Sequence, residues 1–436
     1  MTLRLDRLLT GFAALFLAVV GFLPLVNWIP GGLAAPWYAE VAGDLANGLG
    51  IALGFGIVLA LSLKRSWPVG AGQRAARFPR PVIALAAFVL YALIARLVFA
   101  GRPLLIDEIV QVFQAHILAG GRLWLPVASH QEFFSSFHLV EQGGRVYGQF
   151  PMGGPAMLAL GTPFGAEWLV DPLFGALAVL AFAALLRRIE PRPGVALAAT
   201  LLFAFAPFAA FMAGSHMNHV TGLCWLVVGM WGLSRATAES ARVRDGLLCG
   251  LGFGLAATIR PVDAAAFAVP AGAWLLWRAI QQRRPGVLLG AGVALALPLL
   301  LLAWTNRETT GAPLLFGYTV LWGRAHDLGF HATPWGPLHT PARGVELINL
   351  YFLRLQSYLF ETAGPSLLPA TAALALTRTL APFERYLLAG SGLLVACYFA
   401  YWHDGFYLGP RFLYPLLPLL TLWTARFPAS LRRRMA

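Results

Sequence analysis

The chain has 436 residues, 58% hydrophobic and only 12% charged, with a formal net charge of +13. Soluble domains are about a quarter charged, so this composition excludes a water-soluble globular chain and sets the membrane class before any motif is read. The positive charge then indicates arginines in short loops between apolar runs, facing anionic lipid heads, and excludes nucleic acid as the partner.

Arg4 and Arg7 precede an apolar run over residues 8–26. This run exceeds the ~7–15 residues of a signal-peptide core, so it reads as an uncleaved first span with the N-terminus inside. Crossing the hydrocarbon takes about 20 apolar residues. Further candidate spans follow at 44–63, 81–100, 168–186, 194–213, 216–234, 246–259, 261–278, 286–304, 364–378, 385–402 and 411–427. The pattern predicts an all-α fold, a polytopic transmembrane helix bundle of about 11–13 spans. Arg260-Pro261 divides two of the shorter runs. Residues 1–80 hold two N-terminal spans, and 81–430 hold the rest, with two long outer segments at 101–167 and 305–363. No separate soluble domain is expected.

With the N-terminus inside, the inner segments collect 22 of the 32 cationic residues, from Arg4 and Arg7 to Arg432–Arg434. An even number of spans also puts the C-terminus inside, so both termini are expected in the cytoplasm. Lys64 is the only lysine. Cys224, Cys249 and Cys397 lie in apolar runs without metal-ligand spacing and read as small buried hydrophobes.

In the first outer segment, residues 106–118 alternate as an amphipathic helix at the membrane interface. Ile109, Val112, Phe113 and Ile117 fall on one side and Glu108, Gln111 and Gln114 on another. A second interfacial helix is expected at 344–360. Asp107-Glu108 opens the first helix, a few residues after the third span. Carboxylates near the bilayer surface are costly unless solvated or paired, and they often mark function. A partly buried Asp can accept a proton from a hydroxyl. The plainer role is N-terminal capping, where an acid favours the positive dipole end. The two roles are compatible.

The surrounding residues resemble a family. Arg102-Pro103-Leu104-Leu105-Ile106-Asp107-Glu108, followed by Gln111, Ala115 and Gly120-Gly121-Arg122-Leu123, resembles the start of the GT-C glycosyltransferases. This group includes protein O-mannosyltransferases and the lipid A aminoarabinose transferase. Four further stretches match the bacterial branch in order. They are Tyr147-Gly148-Gln149-Phe150-Pro151-Met152-Gly153-Gly154-Pro155, then Ser215-His216-Met217-Asn218-His219, then Asn306 through Gly311, Pro313, Gly317 and Tyr318, then Gly409-Pro410-Arg411-Phe412-Leu413. The resemblance covers about residues 80–430, which it makes a GT-C-like catalytic transmembrane domain, and leaves the first two spans unexplained.

What the resemblance implies is transfer of a sugar from a polyprenyl-phosphate donor to a hydroxyl of a lipid, glycan or protein. The implied place is the outer face of a bacterial inner membrane. Asp107 would be the general base and Glu108 its support, with inversion at the anomeric carbon. The donor phosphate needs cations, and the planar fork of arginine suits it. Arg260 and Arg411, flanked by proline and apolar residues, are the leading candidates, followed by Arg102, Arg324 and Arg307. Gln149, His216, Asn218, His219, Tyr318, His403 and Asp404 are candidate substrate contacts, and His138 is a further outer histidine. Gln149 stands where some members carry a phosphate-binding lysine, which leaves the phosphate partner open. No cofactor is required. His216 and His219 could share a divalent metal, but no third ligand is apparent. No Gly-rich phosphate loop is present. Two rivals share the span pattern: a transporter or lipid flippase, and an oligosaccharide polymerase or ligase. A transporter would carry ionisable residues at mid-membrane and paired halves. Here the notable charges cluster toward one face.

Overall fold

A computed structural model describes residues 2–25, 79–362 and 364–435. Helices occupy each predicted span that falls among those residues; the span predicted at 44–63 lies outside them. In chain order the helices are α1 (Thr2–Phe22), α2 (Arg80–Leu93), α3 (Ile106–Ala119), α4 (Gly153–Leu158), α5 (Val170–Ile189), α6 (Pro193–Phe205), α7 (Pro207–Ala213) and α8 (His219–Ala236). They continue as α9 (Val243–Ile259), α10 (Pro261–Gln281), α11 (Pro285–Thr310), α12 (Gly317–Trp322), α13 (Pro341–Tyr358), α14 (Leu368–Leu376), α15 (Pro382–Phe399) and α16 (Leu417–Met435). Proline opens α6, α7, α10, α11, α13 and α15. At a first helical position its missing N–H would be unpaired in any case, and its φ is already helical.

Among the described residues four helices are long and apolar enough to cross a membrane: Leu3–Phe22, Arg80–Val98, Glu167–Ile189 and Pro285–Thr310. Pro193–Phe205 and Pro207–Ala213 qualify together as one bent span. The bend falls at Ala206, whose ψ of 127° is extended, as a residue before proline prefers. Residues 364–378 do not form the expected span. Their helix α14 has nine residues, about 14 Å at 1.5 Å per residue, against a hydrocarbon core of about 30 Å.

The chain forms two compact units. One takes its described residues from Met1–Arg80, Leu186–Ala209 and His339–Ala436. Its centre is α13. Leu347, Tyr351, Leu353 and Leu355 are each at most 1% exposed. The helix expected to lie at the interface over 344–360 is therefore a buried core element. Its N-terminus is capped by the Thr340 hydroxyl, which accepts from the Arg343 N–H at 3.2 Å.

The other unit comprises Pro81–Leu185 and Ala210–Leu338. Here α9 carries glycine at every fourth position, and its neighbours close onto the bare backbone. A Cβ at Gly246 or Gly250 would lie 2.0 Å from the carbonyl oxygen of Val287 or Ala291 on α11. A Cβ at Gly252 would lie 2.3 Å from the Gly229 nitrogen on α8. Small residues allow such approach between membrane helices, where dispersion must replace the hydrophobic effect. This unit also holds a small antiparallel sheet, β1 (Leu125–Pro126), β2 (Leu139–Gln142) and β3 (Arg145–Gly148), ordered β1-β3-β2. Gly143 and Gly144, at φ 58° and 75°, make the two-residue turn between β2 and β3.

Candidate active site

The site is built on α3. The expected amphipathic helix forms, and its polar side is the one turned inward. Glu108, Gln111 and Gln114 are each 1% exposed, whereas Ile109 is 46% exposed. Glu108 and Gln114 each have work to do. Glu108 Oε2 accepts from the N–H groups of Leu104 and Leu105 at 2.6 and 3.2 Å, which caps the helix. Its Oε1 accepts from the His216 N–H at 3.1 Å. Glu108 thus braces α3 against the segment before α8. Gln114 donates to the Leu123 carbonyl at 2.9 Å and accepts from the Gly148 N–H at 2.8 Å, tying α3 to β3.

Asp107 lies one residue before this brace, its side chain 15% exposed. Its Oδ1 is 3.2 Å from Nε2 of His138, whose side chain is 9% exposed. His138 opens the sheet segment, just before β2. Asp171, at the start of α5, is 1% exposed, and neither of its oxygens has a hydrogen-bond partner among the described residues.

The turn Tyr147–Pro155 brings the next candidates in. Gly153 and Gly154 are required by contact. A Cβ at Gly153 would lie 2.3 Å from Thr258 Oγ1, and one at Gly154 would lie 2.7 Å from Gln111 Oε1 and 2.9 Å from Asn218 Cβ. The Asn218 oxygen in turn accepts from Arg260 at 3.4 Å. The Arg260 Nε donates to Asp263. Arg260 sits in the break between α9 and α10, at φ −136° and ψ 85°, because Pro261 cannot continue α9. Gln149 accepts from Trp322 Nε1 at 2.7 Å. Tyr318 stacks on His326 with ring centres 4.7 Å apart and meets Phe150 edge-on at 5.7 Å. His216 and His219 are buried beside this cluster. Burial pushes the His216 ring's pKa below its ordinary value, opposed in part by the charges of Glu108 and Glu167. Burial also pushes the Tyr147 hydroxyl up to about 12.

One unit therefore gathers Asp107, Glu108, Gln149, His216, Asn218, His219, Arg260 and Tyr318. Arg102 and Arg324 belong to it but are exposed, as is Arg307. Among the described residues no three His, Cys, Asp or Glu side chains group in a way that could hold a metal ion.

His403, Asp404 and Arg411 belong to the other unit, in the loop between α15 and α16. Arg411 is 6% exposed and lies over the Phe412 ring at 5.6 Å. Asp404 pairs with Arg354 of α13, and the His403 carbonyl accepts from the Tyr351 hydroxyl. The loop is strained where it turns: Leu408, not a glycine, sits at φ 53°. Gly409 follows at φ 117°, and a Cβ there would lie 2.8 Å from Phe208. Sequence reasoning missed Arg354 and gave His138 little weight. The signal for Arg354 was a cation within an apolar helical pattern, at a position later found 13% exposed.

No family model matches the chain, and no curated protein matches it in sequence. Among solved structures, ArnT from Cupriavidus metallidurans, bound to undecaprenyl phosphate, aligns with a TM-score of 0.52 and 16% identity over 81% of this chain. The chain spans 60% of the length of that protein. The apo oligosaccharyltransferase of Archaeoglobus fulgidus gives 0.43, and AglB of the same organism, with an inhibitory peptide and a dolichol-phosphate, gives 0.40. Each of these two is 12% identical and covers 81% of this chain and 51% of its own length, and scores this low carry no argument. The alignment with ArnT shows the architecture: the chain has a GT-C-like fold, all-α and polytopic.

Proposed function

We propose that the chain is a membrane glycosyltransferase that moves a sugar from a polyprenyl-phosphate donor to a hydroxyl acceptor on the non-cytoplasmic face. The observation that carries this reading is the placement of Asp107. It is a partly buried carboxylate at the head of α3, braced through Glu108 and facing a histidine, within a GT-C-like fold. The structure that shares this fold holds undecaprenyl phosphate, which supports a carrier of that class here.

In the proposed reaction the acceptor hydroxyl attacks the anomeric carbon. Its O–H bond breaks and the proton passes to Asp107. The new C–O bond forms as the sugar–phosphate bond breaks, and the phosphate leaves with the electron pair. Direct displacement inverts the configuration. Charge develops on the leaving phosphate, and preorganised cations stabilise it there. Arg260, oriented by Asp263 and Asn218 in the same unit as Asp107, is the proposed phosphate partner. In the unit built on α13, an apolar cleft of about 620 Å³ is lined by Leu201, Phe205, Pro207, Phe360, Pro365 and Leu368.

General-base catalysis contributes roughly 10²–10⁴-fold. D107N should therefore accumulate and fold as wild type while losing roughly 10²–10⁴-fold in transfer rate. Mass spectrometry of glycolipids and cell-envelope glycans from a deletion strain identifies the product, and complementation with D107N measures the rate. Transfer by D107N at the wild-type rate would sink the assignment of the base.

A further inference from the structure

We infer that His138 is a positioning residue for the reaction, fixing the Asp107 carboxylate through its Nε2–H; this rests on Asp107 being the base. His138 Nε2 lies 3.2 Å from Asp107 Oδ1. A carboxylate oxygen has no proton to give, so the tautomer that satisfies this contact carries the hydrogen on Nε2. The other nitrogen agrees. Nδ1 is buried and has no hydrogen-bond partner among the described residues. A lone pair left there costs less than a buried N–H without an acceptor.

The ring has little freedom. Phe137, Phe150 and Trp322 pack around it with ring centres at 5.1, 5.9 and 6.3 Å. The His138 carbonyl accepts from the Gln149 N–H at 3.1 Å, which pins its backbone to the turn that precedes α4. Trp322 is itself held by Gln149 at 2.7 Å. A rigid aromatic cage thus holds a single donor against one oxygen of Asp107. Ionised Asp has two equivalent oxygens and a soft terminal torsion. Binding Oδ1 sets the carboxylate plane and the direction from which the acceptor proton is taken. A misplacement of about 1 Å at a reacting group can cost about 10²-fold in rate. The brace through Glu108 fixes the helix; His138 fixes the side chain upon it.

The test separates the hydrogen bond from the packing. His138→Phe keeps the aromatic cage and removes the donor, whereas His138→Gln keeps an N–H donor of similar reach. His138→Asn is polar but too short to reach Asp107. The full-length protein is expressed in the deletion strain and the product glycan is followed over time. Binding of undecaprenyl phosphate to the purified protein is measured in parallel. H138F and H138N should form product at least tenfold more slowly, with undecaprenyl phosphate binding within twofold of wild type, and H138Q should recover at least a third of the rate. A wild-type rate in H138F, or H138Q as slow as H138F, overturns the inference. So does loss of undecaprenyl phosphate binding in proportion to rate, which would mark a purely structural role. D107N belongs in the same series: an active D107N overturns the underlying assignment of the base, whereas an inactive D107N beside an active H138F overturns only the role of His138.

Discussion

Both units bury carboxylates, and those around α3 are treated differently from those of the unit built on α13. In the unit built on α13, each buried acid is answered by arginine. Asp6 pairs with Arg385 at 2.8 and 3.0 Å, and Glu346 with Arg343 at 2.6 Å. Glu190 meets Arg192 and Arg426, each at 2.7 Å, and Arg426 reaches Glu384 at 2.5 Å. Burial alone would push the Glu190 carboxyl up, but the two bonded guanidiniums outweigh it and hold the group below its ordinary value. Around α3 the partners are of another kind. Asp107 meets a histidine, Glu108 meets backbone N–H groups, and the oxygens of Asp171 meet no hydrogen-bond donor among the described residues. A carboxylate locked between arginines holds helices together.

The sharpest way to break this comparison is to make the same change in both places. Glu190→Gln removes one charge from a buried network and leaves Arg426 and Arg192 undercompensated. Breaking a buried pair in this way costs about 3–5 kcal/mol, and thermal unfolding in detergent should show it. Asp171→Asn removes a carboxyl that makes no hydrogen bond among the described residues and should cost no more than about 1 kcal/mol. Equal losses in the two variants would remove the distinction between the clusters.

Much of this was legible in the sequence, and for physical reasons. Apolar runs of crossing length located the helices, since that signal acts within a single helix. The bounds of α3 and the acidic pair at its head were equally local. What failed was partner choice. Arg192, Arg385 and Arg426 read as loop cations facing lipid heads, and in the fold they are buried or half-buried partners of Glu190, Glu384 and Asp6. Residues 344–360 read as an interfacial helix, yet the corresponding α13 buries its polar side chains, Asn349 and Gln356 among them. Those side chains donate to the carbonyls at the end of α1, Asn349 to Val20 and Gln356 to Gly21, at 2.8 and 2.7 Å. The β2–β3 hairpin was missed although Gly143-Gly144 between alternating residues is a strong local turn signal. The pairing of Asp107 with His138 joins α3 to the residue just before β2, 31 positions on, and is set by tertiary packing rather than by any local pattern.

The glycines of the turn before α4 offer a milder test on the α3 side. Gly153→Ala would push a methyl into Thr258, whose side-chain oxygen and carbonyl lie 2.3 and 2.6 Å from the Cβ position. Overpacking of this kind costs about 1–3 kcal/mol. The displacement would also move Gln149 and the Asn218 neighbourhood, so transfer rate should fall with stability. Gly272→Ala in α10 is the control, because nothing lies within 4 Å of its Cβ position, and alanine there should be neutral or slightly stabilising. A G153A variant as stable and active as G272A would show that the turn is not wedged in place as described.

The smallest effect concerns His216, whose N–H is the brace point for Glu108. Burial holds its ring pKa below the ordinary value against the pull of Glu108 and Glu167, so the folded protein binds this proton less readily than the unfolded chain. The stability tied to the neutral ring is then present in full above the unfolded value of about 6.5, and it is lost as pH falls from there through the folded value. His216→Gln removes the titration while keeping the backbone N–H that Glu108 uses. Thermal midpoints at pH 7.5 and 5.5 should therefore fall by less in H216Q than in wild type. Equal drops would mean that the ring titrates as it does in water, and that the cluster around α3 is wetter than its burial suggests. A smaller drop in H216Q would sharpen the contrast between the α3 cluster and the unit built on α13, because it would show a histidine ring held neutral beside the buried acids.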